Sequence, residues 1–347
     1  MSPQISVPLK RISPLIEQAK SAGLNIEKAL ADLKIDVKGA ANTKESISLG
    51  DYYRLHNTLA LKLGDETLRL SARNLVPGST DYVLQHTRKC KTLVEAMEVI
   101  AKSYNLLHGG DYNRVVKKRD RVDYIVDDRS FPYALDQDRE YLLFSTECVL
   151  IFLHCMLMSI APAAADAVLA LHIKRRTPGG DCGHLGYWSA PIRFGADVYR
   201  LSLKRGIAFA AIAPSPSALT SLSVYGKIVE TVAGKEAQNA AMAPASTLVK
   251  AAFAENLWGQ DVIAARLGLS VASLRRRLSD EGMNFRDLRQ QVLNEKARAL
   301  LSGGGAVSEV AEQLGFSDFR AFNRAFKLWN GVTPAEFRGQ NGDTASK

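Results

Sequence analysis

Two clusters of side chains in the last hundred residues carry donors of the kind that read DNA bases. Arg275, Arg276 and Arg277 stand together in VASLRRRLSDEG, and Phe319, Arg320, Asn323, Arg324 and Lys327 lie in DFRAFNRAFKLWNG. A guanidinium presents parallel N–H donors that fit guanine O6 and N7 in the major groove, and an asparagine amide fits adenine N6 and N7. In the first segment Val271, Leu274 and Leu278 recur at helical spacing. That predicts an inward stripe, with Arg275 and Arg276 facing outward beside the small Ala272. In the second, Phe322 and Phe326 supply the stripe, leaving Phe319, Arg320, Asn323 and Arg324 outside. Arg277 and Lys327 are expected on phosphate. An arginine run on a helix is also an ordinary solvated face, so the elements that position these residues must decide.

Each cluster is preceded by the same pattern. Ala264-Ala265-Arg266-Leu267-Gly268-Leu269-Ser270 matches Ala311-Glu312-Gln313-Leu314-Gly315-Phe316-Ser317, and the glycines are 47 positions apart. A small alanine lets two helices cross closely, and glycine suits the residue leaving a helix, where φ is often positive. The apolar residue fills the angle between helices, and Ser270 and Ser317 are each expected to cap the second helix of the pair. This spacing predicts two helix-turn-helix units, over about 260–281 and 307–330. A single copy is weak grounds for DNA binding; two copies, each leading into an arginine-bearing amphipathic helix, are strong grounds.

The second unit runs through Gly315-Phe316-Ser317-Asp318, Phe322, Arg324 and Phe326-Lys327 to Gly331-Val332-Thr333-Pro334 and Phe337-Arg338. With Ser273-Leu274, Arg276, Gly282, Phe285, Ala297 and Leu300-Leu301, this stretch resembles the AraC/XylS family of bacterial transcription regulators. The resemblance implies two helix-turn-helix subdomains joined by one helix, about Phe285 to Leu301. It implies that the recognition helices enter neighbouring major grooves of double-stranded DNA about one turn apart. Contact with RNA polymerase, and hence activation, is also implied. The triple Gly303-Gly304-Gly305 departs from the family by loosening the loop after the joining helix, and Arg320 falls at a position that varies among members.

Residues 1–232 read as α+β. Helical periodicity covers Ile12 to Leu33, broken at Gly23, then Leu49 to Leu63 and Thr92 to Leu107, where Thr92 and Glu95 suggest a capping box. Alternation over Tyr112 to Lys118 and Arg121 to Asp127 predicts a hairpin, and Val168 to Ile173 a strand. Gly23-Leu24, Ile47-Ser48-Leu49, Leu93 to Ala96, Ala101, Tyr104 and Ile192 to Gly195 resemble the arabinose-binding-type regulator domain of the ornithine-regulator-like branch of the same family. That implies a sensing or dimerising domain with a small-molecule effector, whose binding residues are unassigned. The fold class expected is thus an α+β first domain followed by an all-α domain over 247–341. Residues 233–246, rich in alanine and small polar residues, are expected as a linker, helical in part, after a last helix near Leu219 to Val232.

Other chemistry is thinly supported. His108-Gly109-Gly110-Asp111 and Asp181-Cys182-Gly183-His184 lack a legible nucleophile–base partner. Gly109-Gly110 and Gly179-Gly180 lack the strand-then-helix context of a phosphate loop, so loops are the better account of all four. Lys174-Arg175-Arg176 suits either an anionic effector or a solvated run. Cys90, Cys148, Cys155 and Cys182 show neither CxxC nor metal spacing, so buried thiols are expected and no metal or cofactor. The chain has 347 residues, 46% hydrophobic and 23% charged, at net charge +9. Residues 247–343 hold 13 Lys/Arg against 11 Asp/Glu, so bulk charge is not what marks the DNA reader. No secretory start is seen, and the roughly 14 apolar residues from Cys148 to Pro162 fall short of the ~20 that span a bilayer, so they are expected as a buried core helix. A cytoplasmic, non-enzymatic regulator is expected, with a homodimer left open. The alternatives are an effector-independent DNA binder and a catalytic domain fused to a DNA-binding tail; the latter would want a reactive cysteine near the tail, and none follows Cys182.

Overall fold

The computed structural model describes residues 5–35, 37, 45–134, 138–177, 182–213, 218–242, 244–316 and 318–342. The chain forms two compact units, Pro3–Gln238 and Asn239–Lys347.

In the first unit the described elements are β1 (Ser6–Pro8), α1 (Ser13–Ser21), α2 (Ile26–Asp32), β2 (Ser46–Ser48), α3 (Leu49–Leu63), α4 (Ser79–Thr87) and α5 (Leu93–His108). They continue with β3 (Asn113–Lys117), β4 (Arg121–Val126), α6 (Arg139–Ile160), β5 (Val168–His172), β6 (Ile192–Arg193), β7 (Tyr199–Lys204), α7 (Arg205–Ala208) and α8 (Ser221–Met242). A five-stranded sheet runs β3-β4-β7-β5-β6, antiparallel except for the β5–β6 pair, while β1 and β2 form a separate ribbon. The hairpin is closed by Lys118 N–H donating to Arg121 C=O at 2.9 Å. The central strand β7 has no counterpart in the sequence expectations, although YRLSLK alternates weakly; its buried Tyr199, Leu201 and Leu203 share one face of the pleat. Thr92 caps α5 by accepting from Glu95 N–H, but the Glu95 carboxylate bonds Lys91 N–H at 2.7 Å, so the box closes one residue early.

Two helices run further than the sequence pattern marks them. Helix α6 begins at Arg139 and has 22 residues, so by length and composition it could cross a membrane. It is longer than the apolar run counted from the sequence, and it is the core helix expected there: 78% of its most apolar stretch is buried, and Phe144, Ile151, Cys155 and Leu157 are fully enclosed. The stretch expected as linker is mostly helix, because α8 continues to Met242 and the boundary between the units falls inside it. Alanine, lysine, glutamate and glutamine have high helix propensity, so a segment without hydrophobic periodicity can still extend a helix already begun.

The second unit is all helical among its described residues: α9 (Ala245–Ala254), α10 (Gln260–Arg266), α11 (Val271–Asp280), α12 (Phe285–Ser302), α13 (Val307–Gln313), α14 (Phe319–Asn330) and α15 (Pro334–Gly342). It has two small cores. Leu288 and Val292 of α12 join the first, with α9–α11; Leu293, Ala297 and Leu301 join the second, with α13 and α14. At about 100° per residue these two sets lie on nearly opposite sides of α12, which therefore acts as a shared beam. Trp258 packs against both cores, stacked on Phe253 at 4.9 Å with Lys296 Nζ 5.0 Å from its ring centre.

Candidate functional site

The repeated pattern builds the same turn twice. Gly268 and Gly315 adopt φ of 66° and 74°, in the left-handed region that glycine enters without penalty. Leu269 N–H bonds Ala264 C=O while Gly268 N–H bonds Ala265 C=O; Phe316 and Gly315 repeat this onto Ala311 and Glu312. That pairing closes a helix end by satisfying carbonyls left without intrahelical donors. Ala264 and Ala311 are buried, so each alanine supplies both the close approach and the first carbonyl of the turn.

Beyond the turns the copies differ by one residue. Ser270 caps α11, its Oγ accepting from Ser273 N–H at 3.1 Å. The cap of α14 is Asp318, whose Oδ1 accepts from Ala321 N–H at 2.7 Å; Ser317 lies outside the described residues. The cap expected of the second serine is thus made by the aspartate after it. The inward pairs Leu274/Leu278 and Phe322/Phe326 are consequently 48 positions apart, although the glycines are separated by 47. At the helix spacing, Ala272, Arg275, Arg276 and Ser279 correspond to Arg320, Asn323, Arg324 and Lys327.

These eight positions form one outward face on each helix. Ala272, Arg275, Arg276, Ser279, Arg320, Arg324 and Lys327 are exposed and Asn323 is half-buried. Arg275 is held by Gln260 of α10, with Nε and Nη2 at 3.3 and 3.2 Å from Oε1. Phe319, 48% exposed, opens α14 at the edge of its face. Arg277 does not join the others: it is half-buried, turned about 160° from Arg275 by helix geometry, and its charge acts on Glu281. Burial works to raise the Glu281 pKa, but bonds from Ser246 and Ala245 and the Arg277 charge bring it below the usual value. Its carboxylate accepts the first N–H groups of α9. Ser279, Gln260 and Asp318 were missed by sequence reasoning. The signal for the first was the i+3 and i+7 spacing from Arg276 and Ala272.

The basic run of the first unit has a different use. Arg175 is 5% exposed and bonds Glu147 at 3.0 Å and Glu140 at 2.7 Å; His184 Nε2 meets the other Glu147 oxygen at 2.8 Å. Lys174 Nζ lies 2.8 Å from Asp128. Arg175 is therefore buried and paired, Lys174 is partly exposed but paired with Asp128, Arg176 is exposed, and His184 is a buried partner of Glu147. Asp181, Gly179 and Gly180 fall outside the described residues. His108 is buried against Ser71 Oγ at 3.1 Å, and Gly109 ends α5. Cys148 and Cys155 are buried, which pushes both thiols up and leaves them unreactive at neutral pH. A cavity of about 280 Å³ opens between α3, α5, α6 and β4, with Ser221 and Tyr225 of α8 in its wall. Burial takes His56 and His108, both in that wall, down to about 4, so both are neutral at pH 7.

Two helix-turn-helix units on one shared helix, each presenting an exposed polar face, define a DNA-binding protein of the paired-reader type. Comparison with known proteins agrees. Residues 263–340 match the model of a helix-turn-helix domain, and residues 23–208 match that of the arabinose-binding domain of AraC transcription regulators. The chain belongs to the AraC family of transcription regulators, with an arabinose-binding-type N-terminal domain. It is 38% identical over 76 residues to an uncharacterized HTH-type transcriptional regulator of Mycobacterium tuberculosis, a match spanning 22% of each chain. It is 36% identical over 76 residues to the HTH-type transcriptional regulator VqsM of Pseudomonas aeruginosa, over 22% of this chain and 23% of that one. These matches thus span less than a quarter of the length of either relative. Among solved structures, the transcriptional regulator CdpR from Pseudomonas aeruginosa aligns over 90% of this chain and 96% of its own, with 21% identity and a TM-score of 0.30.

Proposed function

We propose that this protein is a cytoplasmic activator of transcription that reads two adjacent major-groove segments through α11 and α14. Residues 247–341 form the reader, and residues 1–232 sense a small molecule, dimerise, or both. The observation that carries the reading is the repeated exposed face, Ala272-Arg275-Arg276-Ser279 on α11 and Arg320-Asn323-Arg324-Lys327 on α14. Arg276 and Arg324 stand at the same helix position and are the base-reading pair; Arg275, Asn323, Arg320 and Phe319 set the remaining preference. Lys327 neutralises phosphate, and Arg277, half-buried on the other flank of α11, contributes to phosphate contact less than the exposed arginines do. The turn residues Gly268, Ser270 and Gly315 fix the angle at which each helix is presented.

Because the two faces differ in composition, each reads its own half-site, and the operator is asymmetric. RNA polymerase is the partner that converts binding into activation. The cavity in the first unit supports a small-molecule effector, and α8 supplies the covalent path from that unit to the reader. An effector changes DNA binding only to the extent that it favours one state of the protein over another. Selection of DNA sites in vitro with the full-length protein tests the reading. The expected outcome is one asymmetric site with two blocks about ten base pairs apart; recovery of a single block, or of no consensus, refutes it.

A further inference from the structure

The wall of the 280 Å³ cavity has a chemistry that selects a ligand class. Among the described residues that line it, eight are tyrosines and none is lysine or arginine. Most polar groups of the wall are already spent on one another. Tyr53 OH donates to Cys148 C=O at 2.7 Å, His56 Nδ1 and Tyr225 OH are 2.9 Å apart, and Thr80 Oγ1 and Tyr104 OH are 3.0 Å apart. What remains for a ligand is mainly aromatic and aliphatic surface, which suits an apolar body better than a polyol needing many free donors and acceptors.

The charged side chains in the wall itself are all carboxylates, while Arg73, outside the wall, lies against Gly109 and acts on His108. Glu66 accepts from Gly78 N–H at 2.7 Å, from Thr80 N–H at 2.9 Å and from the Thr80 hydroxyl, and Asp81 accepts from Ser221 N–H at 2.6 Å. Asp65, buried behind the wall, is held by the N–H groups of Thr67, Arg69 and Leu75 and by the Thr67 hydroxyl. All three are satisfied by neutral donors, whereas Asp128 is matched by Lys174. An incoming carboxylate or phosphate meets negative charge, with no cation among the described wall residues to receive it. An incoming cation meets carboxylates and a wall rich in aromatic rings, whose faces, like carboxylates, stabilise an ammonium group.

We propose that this cavity binds an organic cation with an apolar body, an alkyl- or arylalkylammonium, and that Asp81 reports its presence to α8. The proposal deepens the effector-sensing reading of the first unit and rests on it. The link to α8 is direct: Asp81 Oδ1 bonds the N–H of Ser221, the first residue of that helix, while Tyr225 one turn later faces the same cavity. A cation drawn to Asp81 competes for the oxygens that hold the start of α8, whose far end enters the second unit.

The test uses the full-length protein and three probes of one skeleton: 3-phenylpropylammonium, 3-phenylpropanol and 3-phenylpropionate. Thermal shift and calorimetry are expected to show the ammonium stabilising the protein and binding about tenfold or more tightly than the alcohol, with no binding of the carboxylate. Asp81→Asn keeps an acceptor for Ser221 N–H and removes the charge; it should weaken the ammonium about fivefold and leave the alcohol unchanged. Leu61→Trp, on the rim where the leucine is 62% exposed and substitution is tolerated, should weaken both. Equal or tighter binding of the alcohol or carboxylate overturns the assignment, as does silence of all three at millimolar concentration, or undiminished ammonium binding in both variants. If a wider panel then yields a ligand that changes DNA affinity, the sensing reading stands while the cation assignment falls.

Discussion

Replacing Arg276 and Arg324 separately by alanine bears most directly on the reader. Both are exposed, and each lies two residues past the buried Leu274 or Phe322, about 160° round the helix from it. Loss of a bidentate contact to guanine costs about 1–3 kcal/mol, a factor of about 5 to 150 in Kd, confined to one base pair. Arg275→Ala should cost less, because in the free protein Arg275 already bonds Gln260, and that bond, worth about 0.5–1.5 kcal/mol net, must be exchanged for the one to DNA. Arg277→Ala is the internal control, since its side chain is half-buried on the other flank of α11. It should lower stability while leaving base preference unchanged. Fluorescence anisotropy on a selected site, with each base pair varied in turn and the salt concentration stepped, separates these outcomes. Lys327→Ala should reduce the salt slope by about one without relaxing specificity, as a phosphate contact does. If Arg277→Ala relaxes specificity as much as Arg276→Ala, or if Arg324→Ala binds every site variant like the parent, the assignment of faces is wrong.

Three other expected outcomes rest on particular contacts. Gly315→Ala places a Cβ with no atom within 4 Å, so its cost is backbone strain alone at φ 74°, about 1 kcal/mol; a fall of a few degrees in the melting of the second unit checks it. Glu147→Gln leaves the buried Arg175 without its main counter-charge and should destabilise the first unit by about 3–5 kcal/mol in urea unfolding, whereas a loss under about 1 kcal/mol would deny that the pair is buried as described. The Glu281 carboxyl, lowered in the folded protein, contributes stability above the ordinary glutamate pKa and loses it as pH falls through the lowered value. Glu281→Gln should therefore flatten the acid limb of a stability–pH profile below about pH 5. An unchanged limb would show that the α9 cap carries no such linkage.

The local code of the reader was open to view in the sequence. Gly268 and Gly315, the alanines four residues before them and the caps are short-range devices, each needing only its neighbours to act. Helical stripes such as Leu274/Leu278 and Phe322/Phe326 repeat every turn and leave their marks in residue order. Even there, the one-residue slip between turn and helix was hidden. Ser317 and Asp318 are both competent caps, and only the burial of Phe322 and Phe326 decides which residue starts α14.

Sequence alone thus determined that there are two turn-and-helix units and which residue types each presents, because those features depend on separations of a few residues. Tertiary structure decided the rest. It made Arg175 a buried ion-pair partner through Glu147, 28 residues away, and left Arg277 half-buried, its charge acting on Glu281. It carried α8 through the segment that composition marked as linker. It also gathered tyrosines from α3, α5, α6, α8 and β4 around one cavity with no basic residue among the described residues of its wall. Burial and charge pairing are properties of neighbours in space, and elements far apart in the chain become neighbours only when the core closes.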